Sequence, residues 1–266
     1  MIRLIFTLSS ALLIVCNTFG QRQLFHSHND YEQELPFYQA YAQQAASIEA
    51  DIYSTDRSDE LLVAHNKEDL DEAPTLEEAY IDPIVSLFRL NKGKAWRDSD
   101  KWFVLLVDLK TPVDPTLDIL IRKLQRYPEV FDPNVNPLAV RVVISGNRPP
   151  ADTFKDYPYI ISFDGDRMDY TPQQLERIPM ISLNFRSFSQ WKGEGEIAEG
   201  ELKKLNELIA QAHALDKPIR FWGSPDSPEA WSLFLQMGID YINTDFPEAC
   251  AAFLNYTIFQ ENTTIP

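Results

Sequence analysis

Hydrophobic and polar positions along the chain follow two rhythms. Short apolar runs, alternating or unbroken, fall at residues 24–31, 47–53, 102–111, 139–145, 159–164, 180–185, 218–223 and 239–245 and read as strands. Between them, residues 35–45, 75–90, 115–126, 201–215 and 227–236 carry apolar side chains at helical spacing. Strand one, the 35–45 segment and strand two are joined so closely that they predict a parallel βαβ unit. Thr75 followed by Glu78 has the spacing of a capping box, and Pro115 falls in the first turn of its helix. Eight strands, each followed by a helix or helix-like stretch, predict an α/β fold of the (β/α)8 TIM-barrel type rather than a doubly wound sheet. No linker rich in Pro, Gly or Ser divides the chain, so residues 21–266 read as one barrel domain.

The chemistry collects at strand ends. Strand one carries His26 and His28, strand two Glu49 and Asp51, and strand three ends in Asp108 and Lys110. Each pair is two positions apart, which on a strand points both side chains to one face. A further imidazole, His65, closes the apolar run 61–65 on the excursion after strand two. Barrel strands open their C-terminal ends around one mouth, so these groups are expected to converge there. Such a gathering costs too much desolvation to serve packing, and it argues for a metal ion and an anionic substrate. Glu49, Asp51 and Asp108 are hard oxygen ligands suited to one divalent cation, Mg2+ or Ca2+. Lys110 tolerates that cation only with an anion between them. A phosphodiester accounts for every group, with Lys110 holding a phosphoryl oxygen while two histidines share general acid and general base duty. Imidazole suits both because it titrates near neutrality.

Composition narrows the partners. The 266 residues are 44% hydrophobic, enough for a large core, and the net charge of −16 comes without a basic stripe, which argues against nucleic acid. A small anionic substrate stays compatible if a cation supplies local positive charge. One basic residue followed by a short apolar stretch makes residues 1–20 a signal peptide, and hence the protein secreted or periplasmic. No later stretch is apolar for long enough to span a membrane. Cys16 and Cys250 are the only cysteines, which excludes a disulfide framework and makes Cys250, in an apolar helix-like run, a structural thiol.

In order and spacing, His28-Asn29, Glu49-Ala-Asp51, Val63-Ala-His65, 73–78, Asp108-Leu-Lys110, Phe221-Trp222 and 237–247 resemble the glycerophosphodiester phosphodiesterases and the wider phospholipase-C-like phosphodiesterase superfamily. His26-Ser-His-Asn-Asp-Tyr31 with Ser145-Gly-Asn147 is most similar to the branch named for the fungal "altered inheritance of mitochondria" proteins. The resemblance implies a TIM barrel with acid/base histidines at His28 and His65 and a divalent cation on Glu49, Asp51 and Asp108. It further implies a substrate site with Lys110 on the phosphate, Asn29 beside the first histidine and Trp222 as a wall by the leaving alcohol. Two departures bear on substrate choice: Asn29 stands where the family usually has arginine, and Asp108 where it usually has glutamate. Both also occur in sphingomyelinase-D-like toxins, which release a cyclic phosphate by internal attack and whose H-x-x-N motif would select His26. Arg148, after strand four, is a candidate to replace the missing arginine. The expectation is an exported, metal-dependent phosphodiesterase acting on a glycerol- or lipid-derived phosphodiester. The alternatives are a lyase giving a cyclic phosphate and a non-catalytic secreted binding barrel.

Overall fold

The structure, a computed structural model, describes residues 24–55 and 58–263; the expected signal segment, 1–20, lies outside them. Its strands are β1 (Leu24–Ser27), β2 (Ser47–Thr55), β3 (Ser58–Val63), β4 (Val104–Leu109), β5 (Arg141–Gly146), β6 (Ile161–Phe163), β7 (Ile181–Asn184), β8 (Ile219–Trp222) and β9 (Tyr241–Thr244). All but β3 pair in parallel, in the order β6-β5-β4-β2-β1-β9-β8-β7. The two ends of that series meet beyond β6. There Gly165 N–H donates to the Met180 carbonyl at 2.9 Å, and Ser182 N–H donates to the Gly165 carbonyl at 2.7 Å. A Cβ on Gly165 would lie 2.5 Å from Ile181 Cδ1 and 3.1 Å from the Met180 carbonyl, so glycine lets the strands approach here without displacing the Ile181 side chain.

The helices are α1 (Tyr38–Ala42), α2 (Asp82–Leu90), α3 (Val113–Leu124), α4 (Pro128–Phe131), α5 (Pro172–Leu175), α6 (Glu199–Ala214), α7 (Pro228–Met237) and α8 (Pro247–Thr263). The capping box read from the sequence is realised, and a further side-chain cap accompanies it. Thr75 and Glu78 exchange their hydrogen bonds ahead of α2, and Ser227 Oγ accepts Ala230 N–H at the start of α7. The segment 35–45 is helical only over α1, because Phe37 is held at φ 65° by donating its N–H to the buried Asp30 carboxylate at 2.6 Å. Strand one likewise stops at Ser27, where Ser27 Oγ–H donates to Asp30 and turns the chain.

Strand alternation sorts the interior. On β2, Ile48, Ala50 and Ile52 join the apolar layer under the helices, while Ser47, Glu49 and Asp51 make contacts inside the ring. On β4, Leu105, Val107 and Leu109 join that outer layer. Val104 and Leu106 form a small apolar cluster with Val143 instead. Polar groups fill the interior above it, which is why the barrel's C-terminal half is a site rather than a core. The extra strand β3 pairs antiparallel with β2 and returns the chain over this end.

Candidate active site

His26 is fully buried. Its Nδ1 lies 2.9 Å from Ser47 Oγ and its Nε2 3.0 Å from Glu49 Oε2. Burial, then the nearby Arg220 guanidinium, hold this imidazole down at about 3, so it is neutral and donates from Nε2 to Glu49. Arg220, buried on β8, reaches Ser182 Oγ at 3.1 Å, Asn243 Oδ1 at 3.1 Å, Asp164 Oδ2 at 3.5 Å and Glu49 Oε2 at 3.8 Å. Burial works against ionising Glu49, but the His26 hydrogen bond and the Arg220 charge win and keep its carboxyl well below the usual range. Asp164, where burial dominates, is pushed up to about 6.

One layer higher, Lys110 Nζ bridges Asp51 Oδ2 at 2.8 Å and Asp108 Oδ1 at 2.9 Å; burial opposes its charge, but these carboxylates outweigh it and raise its pKa. Ser145 Oγ–H donates to Asp108 Oδ2 at 2.8 Å. Tyr31 Oη lies 2.6 Å from Asp51 Oδ2, 2.9 Å from Asn29 Oδ1 and 3.0 Å from His65 Nδ1. With the hydroxyl donating to Asp51, His65 donates from Nδ1 and turns a bare Nε2 outward. Its ring is 47% exposed. His28 Nδ1 lies 2.7 Å from Asp245 Oδ1, and its Nε2 is 3.9 Å from Glu49 Oε2. Burial pulls His28 down, but the Asp245 hydrogen bond and the Glu49 charge outweigh it, and its pKa is raised.

The structure therefore places His28, His65, Glu49, Asp51, Asp108, Lys110 and Asn29 around one mouth, with Trp222 at the end of β8, 42% exposed. His26 and His28 are separated in role: the first lies beneath Glu49, the second faces the opening. Asn29 has φ 46°, a left-handed conformation that asparagine tolerates better than most residues. Three groups were missed in the sequence. Tyr31 ends the quoted histidine motif, Asp245 ends strand eight as the other active residues end theirs, and Arg220 shares a strand face with Trp222. The strand-end position and the two-residue spacing were the available signals.

Ligand atoms of Glu49, Asp51 and Asp108 all lie within 4.8 Å of one another. Asp51 Oδ1 is buried and, among the described residues, has no hydrogen-bond partner. Burial and the charge of Glu49 push the Asp51 carboxyl up to about 6, against Lys110 and Tyr31. Crowded hard oxygens, one of them buried without a donor, fit a divalent cation.

A family model described as the AIM6-like phosphodiesterase domain matches residues 21–156, and one for the glycerophosphoryl diester phosphodiesterase family matches residues 218–248. Altered inheritance of mitochondria protein 6 of Eremothecium gossypii is 28% identical over 86% of this chain and 68% of its own length. Its namesake from Kluyveromyces lactis is 26% identical over 83% and 69%. The backbone is similar to a glycerophosphodiester phosphodiesterase from Parabacteroides distasonis, with TM-score 0.59, 15% identity and coverage of 90% of this chain and 99% of that one. It is also similar to an Oleispira antarctica phosphodiesterase in complex with the product sn-glycerol-3-phosphate, with TM-score 0.53, 10% identity and coverage of 87% and 96%.

Proposed function

We propose, from the premise that the chain belongs to the AIM6-like phosphodiesterase family and is a phosphoric diester hydrolase, that it cleaves a glycerol- or lipid-derived phosphodiester using His28 and His65 as general acid and base with one divalent cation. The observation that carries the reading is the pairing of the imidazoles. His28 stands by Glu49 and His65 by Asp51, and each has one ring nitrogen anchored, by Asp245 and Tyr31 respectively. Glu49, Asp51 and Asp108 would hold the cation, Mg2+ or Ca2+, which when bound supplies positive charge to polarise a phosphoryl oxygen.

The side chains then divide the reaction. Lys110 holds a non-bridging oxygen of the phosphodiester. His65 takes a proton at Nε2 from the attacking water as its oxygen bonds to phosphorus. His28, kept protonated by Asp245, gives its Nε2 proton to the departing alkoxide as the ester P–O bond breaks. Trp222 walls the leaving alcohol. The same reading has the chain exported, on the strength of the basic residue and short apolar run within residues 1–20.

The test is turnover of bis(p-nitrophenyl) phosphate and of glycerophosphodiesters, after EDTA and after restoring Mg2+ or Ca2+. Activity should vanish with EDTA and return with one cation. His28→Ala and His65→Ala should each lower kcat by about 10²- to 10⁴-fold with little change in Tm. Near-normal turnover in both variants sinks the acid/base assignment, and EDTA-resistant turnover sinks the metal. With glycerophosphodiesters, phosphorus NMR of the product separates hydrolysis from cyclisation.

A further inference from the structure

Cations around the mouth are mostly occupied by the protein itself. Lys110 is shared between Asp51 and Asp108, and Arg220 is held by Ser182, Asn243, Asp164 and Glu49. Arg148 differs. Its side chain is only 14% exposed, and Nη2 pairs with Asp166 Oδ2 at 2.6 Å. Nη1 is buried and, among the described residues, has no hydrogen-bond partner. Buried guanidinium donors are costly to leave unmatched, because the charged group has given up water without a replacement.

The backbone fixes where this arginine stands. Arg148 follows β5 at the barrel's C-terminal end. Asn147 N–H donates to the Leu109 carbonyl at 3.0 Å, and Gly146 packs against the Asp108 carboxylate. The loop is thus clamped to the end of β4 that carries Asp108 and Lys110. On its other side, Asp166 follows the ring-closing Gly165 and is itself fixed by the Tyr170 hydroxyl at 2.6 Å. The guanidinium charge reaches inward as well, offsetting a little of the burial that raises the pKa of Asp164 inside the ring. Asn29 beside His28 brings no charge to the opposite rim.

We propose that Arg148 is a second anion-binding residue of the mouth beside Lys110, its Nη1 donating to a non-bridging oxygen of the substrate's phosphodiester from the β5 side. This rests on the phosphodiesterase reading for the identity of the anion. Asp166 orients the guanidinium through Nη2 and leaves Nη1 for the substrate.

The experiment measures the Kd of inorganic phosphate by calorimetry, and kcat and KM for bis(p-nitrophenyl) phosphate. It compares the wild type, Arg148→Gln, Arg148→Lys and Asp166→Asn, with Tm followed in each. Arg148→Gln should raise both Kd and KM about ten- to a hundredfold, as loss of a charge-assisted hydrogen bond does, with a smaller effect on kcat. Arg148→Lys should recover part of the affinity. Asp166→Asn should keep phosphate affinity or tighten it, since the cation remains while its counter-charge goes. A merely structural ion pair would make Arg148→Gln and Asp166→Asn fall together, and that result overturns the assignment. So does a folded Arg148→Gln with unchanged Kd and KM, or a wild type that binds no phosphate. If Arg148→Gln does not fold, Arg148→Lys against Asp166→Asn decides. Arg148-dependent phosphate binding without any turnover would overturn the phosphodiesterase reading and leave this one standing; turnover by Arg148→Gln with KM and kcat/KM unchanged from wild type does the reverse.

Discussion

His26 and His28 lie two positions apart and meet opposite surroundings. His26 is enclosed with Ser47, Glu49 and the Arg220 charge, and burial makes it a neutral support. His28 opens to the mouth with a carboxylate on each side, and those charges outweigh its burial. Spacing in the sequence finds both and cannot rank them, because the partners that separate them, Arg220 and Asp245, come from the far end of the chain. The difference is testable through Asp245→Asn. A raised His28 pKa means the folded protein holds that proton to higher pH. The pair's stabilisation is therefore full below the ordinary histidine value and is lost as pH rises through the folded one. The variant should lower the pKa of the His28-governed limb of the pH–rate profile, moving that limb toward acid. It should also cost about 0.5 kcal/mol at pH 5.5, a figure discounted for the exposure of both partners, with the difference from wild type closing as the pH rises past the raised His28 value. A limb that stays in place, or a Tm difference independent of pH, would show that Asp245 does not hold the proton on His28.

The strands that carry the site were legible because each ends an apolar run in paired polar residues, and the parallel register brings Asp51 level with Asp108 and Asp108 level with Ser145. Less legible was the β2–β3 hairpin, whose alternation merges with that of β2 although it is this reversal that returns His65 to the mouth. The short α1 was also hidden, since the apolar spacing of 35–45 is helical and only the Asp30 carboxylate, which accepts from Phe37 N–H and from the distant Tyr80 hydroxyl, shows why the chain turns first. Gly146 shows how much one element end controls. Its φ is +67°, and a Cβ there would sit 2.6 Å from both Asp108 Oδ1 and the Leu109 carbonyl. Gly146→Ala should cost about 1–2 kcal/mol for the left-handed backbone alone. Because the methyl group must displace Asp108, it should also shrink the rise in Tm produced by saturating Mg2+ or Ca2+. A variant that loses stability but keeps the full metal-induced rise would separate Asp108 from the cation site.

At the scale of the molecule, a net charge of −16 opposes the arrival of an anionic substrate. Part of that charge stands beside the mouth, where a cleft of about 520 Å³ next to Tyr31 and His65 is lined by Glu32, Glu68, Asp69, Asp71 and Glu72. On the proposed reading, Lys110 and Arg148 attract the phosphodiester only at contact distance, inside the rim. Salt therefore acts mainly on the long-range repulsion, since the Debye length falls from about 30 Å at 0.01 M to about 8 Å at 0.15 M. With the cation saturating, kcat/KM for a phosphodiester monoanion should rise by roughly two- to fivefold over that range as repulsion is screened, while kcat stays nearly constant. Neutralising Glu68, Asp69, Asp71 and Glu72 together should raise kcat/KM at low salt and flatten its salt dependence. A kcat/KM that instead falls with salt in the wild type would mean that the cation, Lys110 and Arg148 project their positive field beyond the acidic rim and steer the substrate from a distance.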